Sequence, residues 1–269
     1  MALKDITLGQ FFPGNSPLHR MDPRTKLIGI VLYIVALFLA KGIVTYLLMF
    51  GILATLIAIS RVPLKSIVRG MKPVVFILIF TAVLNLLYTP GEHVLWHWWI
   101  LTITLEGIRT AIFMVVRIIM LITATFLLTY TTSPILLTDG IEHLLRPLKR
   151  IRVPVHELAM MMSIALRFIP TLIEETDKIM SAQRARGADF DTGNLFQKAK
   201  ALVPLLVPLF VSSFRRADEL AVAMECRCYH GGDGRTRLKE LHYTGKDICV
   251  LIFSVFMCAG IWALRHLGQ

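Results

Sequence analysis

The chain has 269 residues, 55% of them hydrophobic and 17% charged, with a mean hydropathy of +0.66. A soluble domain carries about 25% charged residues and disordered segments are poor in apolar side chains, so composition excludes both. Four cysteines (Cys226, Cys228, Cys249, Cys258) are no disulfide framework at this length, and a polytopic membrane protein is left, with net charge +11.

Met1–Gly14 lacks a continuous apolar core, so no cleavable signal peptide is expected. Leu27–Ile59 is apolar except for Lys41–Gly42 near its middle. As one helix it would be ~50 Å long, too long for a single crossing of a ~30 Å hydrocarbon layer. Two short spans hinged at Lys41–Gly42 are expected instead. Further spans are expected at Pro73–Tyr88, Gly107–Tyr130 and Ile248–Leu264, about five in all.

Charge placement agrees with that count. With two spans in Leu27–Ile59, Lys4, Arg20, Arg24 and Lys26 share one side with Arg61, Lys65, Arg69 and Lys72. The loop Thr89–Glu106, on the other side, has no Lys or Arg. Positive residues mark the cytoplasmic face, so the N-terminus is expected inside and Trp96, Trp98 and Trp99 in an outer interfacial belt. Arg109 is close enough to the outer surface to snorkel. Arg117 is deeper and should face a neighbouring helix or subunit.

Ser133–Lys246 holds 17 of the 29 basic and 13 of the 18 acidic residues. Within it, a short helix at Leu136–Arg150 precedes two longer stretches, Val153–Gly187 and Lys198–Tyr229, that are apolar at helical spacing on one side. Ala201–Val211 is too short to cross a bilayer, and crossing out near Leu158–Ile173 and back near Ala201–Phe214 would strand Lys178, Arg184, Arg186, Lys198 and Lys200 outside. The expected fold is therefore all-α: 1–132 holds the first four membrane helices, 133–246 a cytoplasmic domain of long amphipathic helices on the membrane surface, and 247–269 the last span.

Catalytic motifs are missing. The chain has no G-x-x-x-x-G-K-[ST] phosphate loop, H-E-x-x-H pair or G-x-S-x-G elbow. Cys226-x-Cys228 is not a zinc spacing, and both read as reduced structural thiols. His93 and His97, spaced i,i+4 among tryptophans, read as part of the aromatic belt. No enzyme, no metal site and no cofactor in this chain are expected.

The two long helices end alike. Ala185-Arg186-Gly187 closes the first and Cys226-Arg227-Cys228 the second, the arginines 41 residues apart. Glycine after a helix and arginine in its last turn are ordinary termination chemistry. Two such ends on consecutive helices also suit docking: small neighbours admit a second backbone, and a guanidinium fork engages carboxylates bidentately.

Gly9–Leu27, with Pro13-Gly14-Asn15-Ser16 and Leu18-His19-Arg20-Met21-Asp22-Pro23-Arg24-Thr25-Lys26, resembles the opening signature of EcfT. This is the transmembrane coupling (T) component of energy-coupling factor vitamin and metal transporters. Ala165-Leu166-Arg167-Phe168-Ile169-Pro170 and Ser213-Phe214-Arg215-Arg216-Ala217-Asp218 are similar to family segments, and the resemblance spans nearly the whole chain.

The resemblance implies a non-catalytic subunit of an ATP-driven importer in the bacterial cell membrane. Its partners would be two ABC-type ATPase subunits, which bind ATP and Mg, and a substrate-binding membrane S component. It also implies that Ala185, Arg186 and Gly187 form one ATPase-docking motif. Cys226, Arg227 and Cys228 form the second, which lacks the family's Ala and Gly and is expected to cap differently, at Gly231–Gly232. Met160, Met161, Met162 and Phe168 are expected to face the S component, methionine suiting an adaptable surface; an inter-helix core explains the methionines equally well.

The alternative is a self-contained secondary transporter, which would need broken helices or substrate groups near the midplane, often in repeated halves. An intramembrane enzyme would need a nucleophile or metal constellation. Nucleic-acid binding is not expected, because topology and anionic lipid account for the basic residues.

Overall fold

A computed structural model describes residues 11–89, 94–98, 101–188, 190, 194–231 and 240–267. Among the described residues the regular structure is helical apart from a two-stranded hairpin, and the chain forms two compact units. Of the described residues, those within 11–140 and 241–267 form one unit and those within 141–240 the other. His93, Trp99 and Lys4 lie outside the described residues, and of Trp96, His97 and Trp98 only the strand backbone is described.

In the first unit, α1 (Pro17–Arg20) and α2 (Pro23–Leu39) both begin with proline after an oxygen-bearing cap. Proline suits the first helical position because its missing N–H would have no helical partner there. The Ser16 hydroxyl accepts from the His19 N–H, and the Asp22 carboxylate from the Arg24 N–H at 2.8 Å. The chain breaks at 40–42, where Gly42 takes φ +94°, and α3 (Ile43–Ser60) returns along α2. The Tyr33 hydroxyl donates to the Met49 carbonyl across this antiparallel pair. The expected hinge at Lys41–Gly42 is thus a helix break. α4 (Leu64–Tyr88) leads into β1 (Val94–Trp98) and β2 (Leu101–Thr104), which pair antiparallel with His97 opposite Thr102. α5 (Leu105–Thr131), capped by Thr104, then runs back along α4.

α9 (Gly245–Leu267) runs parallel to α2. The Asp22 N–H donates to Asp247 Oδ1, and seven residues further on Gly29 faces Ser254. The five helices α2, α3, α4, α5 and α9 therefore alternate in direction, with Lys26, Ser60, Ser66, Thr131 and Asp247 toward one end. Tyr33, Leu37, Met49, Met120 and Ile261 from four of them form the main buried cluster. The outer faces stay apolar: Val44, Phe76 and Phe256 are exposed, a liability in water and the expected surface in lipid.

Among the described residues five helices are long and apolar enough to cross a membrane: Ile43–Ser60, Leu64–Tyr88, Leu105–Thr131, Val155–Ala185 and Gly245–Arg265. α2, with 17 residues, sits at the lower limit of about 17. Val155–Ala185 is the least apolar of the five.

The polar end of this unit is held by a buried network. The Arg24 guanidinium donates through Nε and Nη2 to the two Asp22 oxygens at 3.0 and 2.8 Å, and again to the Leu241 carbonyl. It also stacks over the Tyr243 ring, 4.0 Å from the centroid. Asp247 accepts from the Asp22 and Thr244 N–H groups. Lys26 Nζ donates to Thr131 O and Thr132 Oγ1. Deeper in the helices, Arg117 Nε donates to the Tyr46 hydroxyl of α3 at 2.8 Å, so this arginine faces a neighbouring helix as its position predicts. Arg109 lies over the Phe113 ring one turn on.

A short helix α6 (Pro134–Leu145) and a 3-10 turn (Arg146–Ile151) lead to the long helices, α7 (Val155–Ala185) and α8 (Leu195–Cys226). α8 opens with a capping box in which Asn194 and Gln197 satisfy each other's backbone N–H groups.

Candidate functional site: two matched helix tips

α7 and α8 pair antiparallel. Glu175 on α7 accepts from the Ser212 hydroxyl and from Arg216 Nε and Nη2 on α8, the latter at 2.7 Å. Two turns further along α7, Gln183 Nε2 donates to the Pro204 carbonyl at 3.4 Å. That carbonyl would ordinarily take the N–H of the residue four further on, which is Pro208 and has none. Proline thus strips a donor from α8, and α7 supplies a replacement.

This pairing separates the two C-termini. Arg186 ends α7 just beyond Gln183, whereas Arg227 ends α8 23 residues beyond Pro204, roughly 35 Å away along the helix at ~1.5 Å per residue. The arginines therefore occupy opposite ends of the pair, each exposed at its helix cap.

The ends share one geometry. At the first, the Gly187 N–H donates to Arg184 O and the Ala188 N–H to Gln183 O, both at 3.0 Å. At the second, the Cys228 N–H donates to Glu225 O at 2.8 Å and the Tyr229 N–H to Met224 O at 3.0 Å. Both are Schellman motifs, which close a helix by turning one residue left-handed. Gly187 does so at φ +87°, and Cys228 does so at φ +54° without the freedom of glycine. The expectation that the second tip caps at Gly231–Gly232 is corrected: Gly231 has φ +100°, but the helix is already closed at Cys228. Backbone hydrogen bonds there outweigh the left-handed penalty of about 1–2 kcal/mol for a residue with a Cβ.

Ala185, Arg186 and Gly187 are exposed, and so are Cys226, Arg227 and Cys228, both cysteines being free thiols. Met161 and Met162 are exposed and Met160 and Phe168 half-buried on α7. On α8, Phe196, Phe210 and Phe214 are exposed. No group of three or more metal-ligating side chains occurs among the described residues. The site offers exposed cationic forks, small neighbours and apolar helix faces.

Alternating apolar helices define a multi-pass membrane protein. The CbiQ family, described as cobalt transport protein, matches residues 14–238. The "Energy-coupling factor transporter transmembrane protein EcfT" of Clostridium kluyveri is 56% identical over 263 residues, covering 96% of this chain and 97% of that one. The proteins of the same description from Ruminiclostridium cellulolyticum and Bacillus subtilis are 54% and 48% identical, covering 95% and 98% of this chain and 96% and 99% of theirs. The chain belongs to this EcfT family of energy-coupling factor transporter transmembrane proteins and is a transport subunit.

The sequence located both arginines but not the cap at Cys228 or the network of Asp22, Arg24 and Asp247. Asp22-Pro23 is a readable helix start. Asp247 lies 225 residues away, and no local signal joins the two.

Proposed function

We propose that this protein couples ATP hydrolysis by two partner ABC-type ATPase subunits to movement of a substrate-binding membrane S component, for uptake of a vitamin or other micronutrient. Arg186 and Arg227 dock into acidic grooves, one on each ATPase, with Ala185 and Gly187, and Cys226 and Cys228, admitting the partner backbone. ATP and Mg belong to those partners. The chain sits in the bacterial cell membrane with its N-terminus cytoplasmic, and α7 and α8 lie at the inner membrane surface. Met160, Met161, Met162 and Phe168 contact the S component.

The observation that carries this reading is the pair of Schellman-capped arginines at opposite ends of one antiparallel helix pair. Two like tips set far apart suit two like subunits. As those subunits close on ATP, tips fixed to each would be drawn together, and the α7–α8 pair would transmit that displacement. Arg186→Glu with Arg227→Glu should abolish co-purification with the ATPase subunits while membrane insertion persists. Intact assembly and uptake in the double variant would refute the docking role.

A further inference from the structure

A cavity of about 130 Å³ lies among α1, α2, α3, α5 and α9 in the membrane-helix unit. That is close to the size known to accept a benzene-sized apolar group. Its wall is apolar, from Leu53, Leu127 and Phe253 among others, with Thr25 and Lys26 at the end where α2 begins. Thr25 is 0% exposed and its hydroxyl has no hydrogen-bond partner, a cost of about 1–3 kcal/mol for a buried donor left unmade. Gly29 leaves the wall open: a Cβ there would meet nothing nearer than Ser254 Oγ at 3.9 Å. Phe253, on α9, is 56% exposed, so the wall reaches the outer face of the helices.

The same end of the unit is cationic. Arg20 and Arg61 are exposed and form no ion pair among the described residues. Arg20 adjoins Met21, which lines the cavity, and Arg61 follows Leu56, another lining residue, by about one and a half turns. Leu18 of α1 packs against the Val62 cluster beside Arg61, which places the two arginines on touching elements.

We propose that this cavity and its basic rim bind one anionic phospholipid of the surrounding bilayer. Arg20 and Arg61 take the phosphate, the Thr25 hydroxyl donates to a glycerol-ester carbonyl just below it, and a short segment of one acyl chain fills the apolar remainder past Gly29, the rest of the chain lying along the outer face beside Phe253. The three groups of the ligand follow the order of the three features of the site: charge at the surface, a hydroxyl without an acceptor, then hydrocarbon. The proposal is independent of ATPase docking, since it involves neither helix tip.

The full-length protein, purified in detergent, is given phosphatidylglycerol or phosphatidylcholine, and retained lipid is counted by native mass spectrometry beside the thermal midpoint. The wild type should retain one phosphatidylglycerol in preference to phosphatidylcholine, with a higher midpoint. Arg20→Glu with Arg61→Glu should erase that preference, about fivefold for each arginine removed. Gly29→Leu, which fills the cavity, should abolish retention of both lipids without lowering its own lipid-free midpoint. Equal retention of the two lipids by the wild type would overturn the proposal. So would undiminished retention by a folded Gly29→Leu protein.

Discussion

Glu175 and Arg216 join α7 to α8 through a 2.7 Å ion pair whose carboxylate also takes the Ser212 hydroxyl. The pair lies between the two helix tips and ties α7 to α8 there. Arg216 is 38% exposed along its side chain, so solvent screening limits the stability contribution of the pair to about 1 kcal/mol or less. Glu175→Gln should therefore barely move the thermal midpoint yet lower ATP-driven uptake, and Arg216→Gln should do the same. The combined charge swap Glu175→Arg with Arg216→Glu should recover part of the uptake, read in proteoliposomes with the partner subunits. Singles without effect on uptake would show that the proposed coupling does not depend on this pair.

The two caps differ only in what sits left-handed. Cys228→Gly should tighten the second tip by about 1 kcal/mol, and Gly187→Ala should loosen the first by a similar amount. Hydrogen exchange at Cys228 and Tyr229 should slow in the first variant, and at Gly187 and Ala188 should quicken in the second. No change at Cys228 would mean its left-handed turn costs nothing.

The Asp22 carboxylate both caps α2 and pairs with Arg24, whose side chain is 11% exposed. Asp22→Ala leaves that guanidinium buried without its carboxylate, held by the Leu241 carbonyl and the Tyr243 ring, and should cost about 3–5 kcal/mol. Asp22→Asn keeps a cap oxygen and should cost less. Thermal unfolding in detergent ranks them, and an equal loss in both would assign the whole effect to charge.

Tyr46→Phe removes the acceptor of Arg117 Nε and should cost roughly 1–3 kcal/mol, the penalty of an unmatched donor. Arg117→Met removes the charged donor and leaves only the neutral Tyr46 hydroxyl unmatched, so it should be better tolerated than Tyr46→Phe. Midpoints of the two variants and of the double variant, which should match Arg117→Met, give the comparison.

Pro208→Ala restores an N–H to α8 opposite the Pro204 carbonyl. The hydrogen bond from Gln183 then becomes redundant. Gln183→Leu should thus destabilise the wild-type α7–α8 pair more than it destabilises the Pro208→Ala protein, a difference readable as a double-mutant cycle. Additive effects would mean the side-chain donor does not replace the lost backbone one.

Much of this was legible from residues close in sequence. The apolar runs expected within Leu27–Ile59 and at Pro73–Tyr88 and Gly107–Tyr130, the break beside Gly42 and the arginines closing α7 and α8 each rest on one stretch of chain, although α4 starts at Leu64, nine residues before the expected run. Hydrophobic length and helix termination are local energies, set within about 20 residues and one turn respectively. The mistaken cap was a local reading too. It assigned the turn to glycine, whereas two backbone hydrogen bonds hold Cys228 in a conformation its own preference disfavours.

Distant partners were not legible. That Asp22 meets Asp247, that Arg117 finds Tyr46, and that α8 folds back along α7 so that Arg186 and Arg227 stand at opposite ends all depend on packing between remote segments. Composition and periodicity name the faces a helix must bury but not the neighbour that buries them. That choice is made by the summed fit of side chains across helices, a non-local energy that no single stretch of this chain contains.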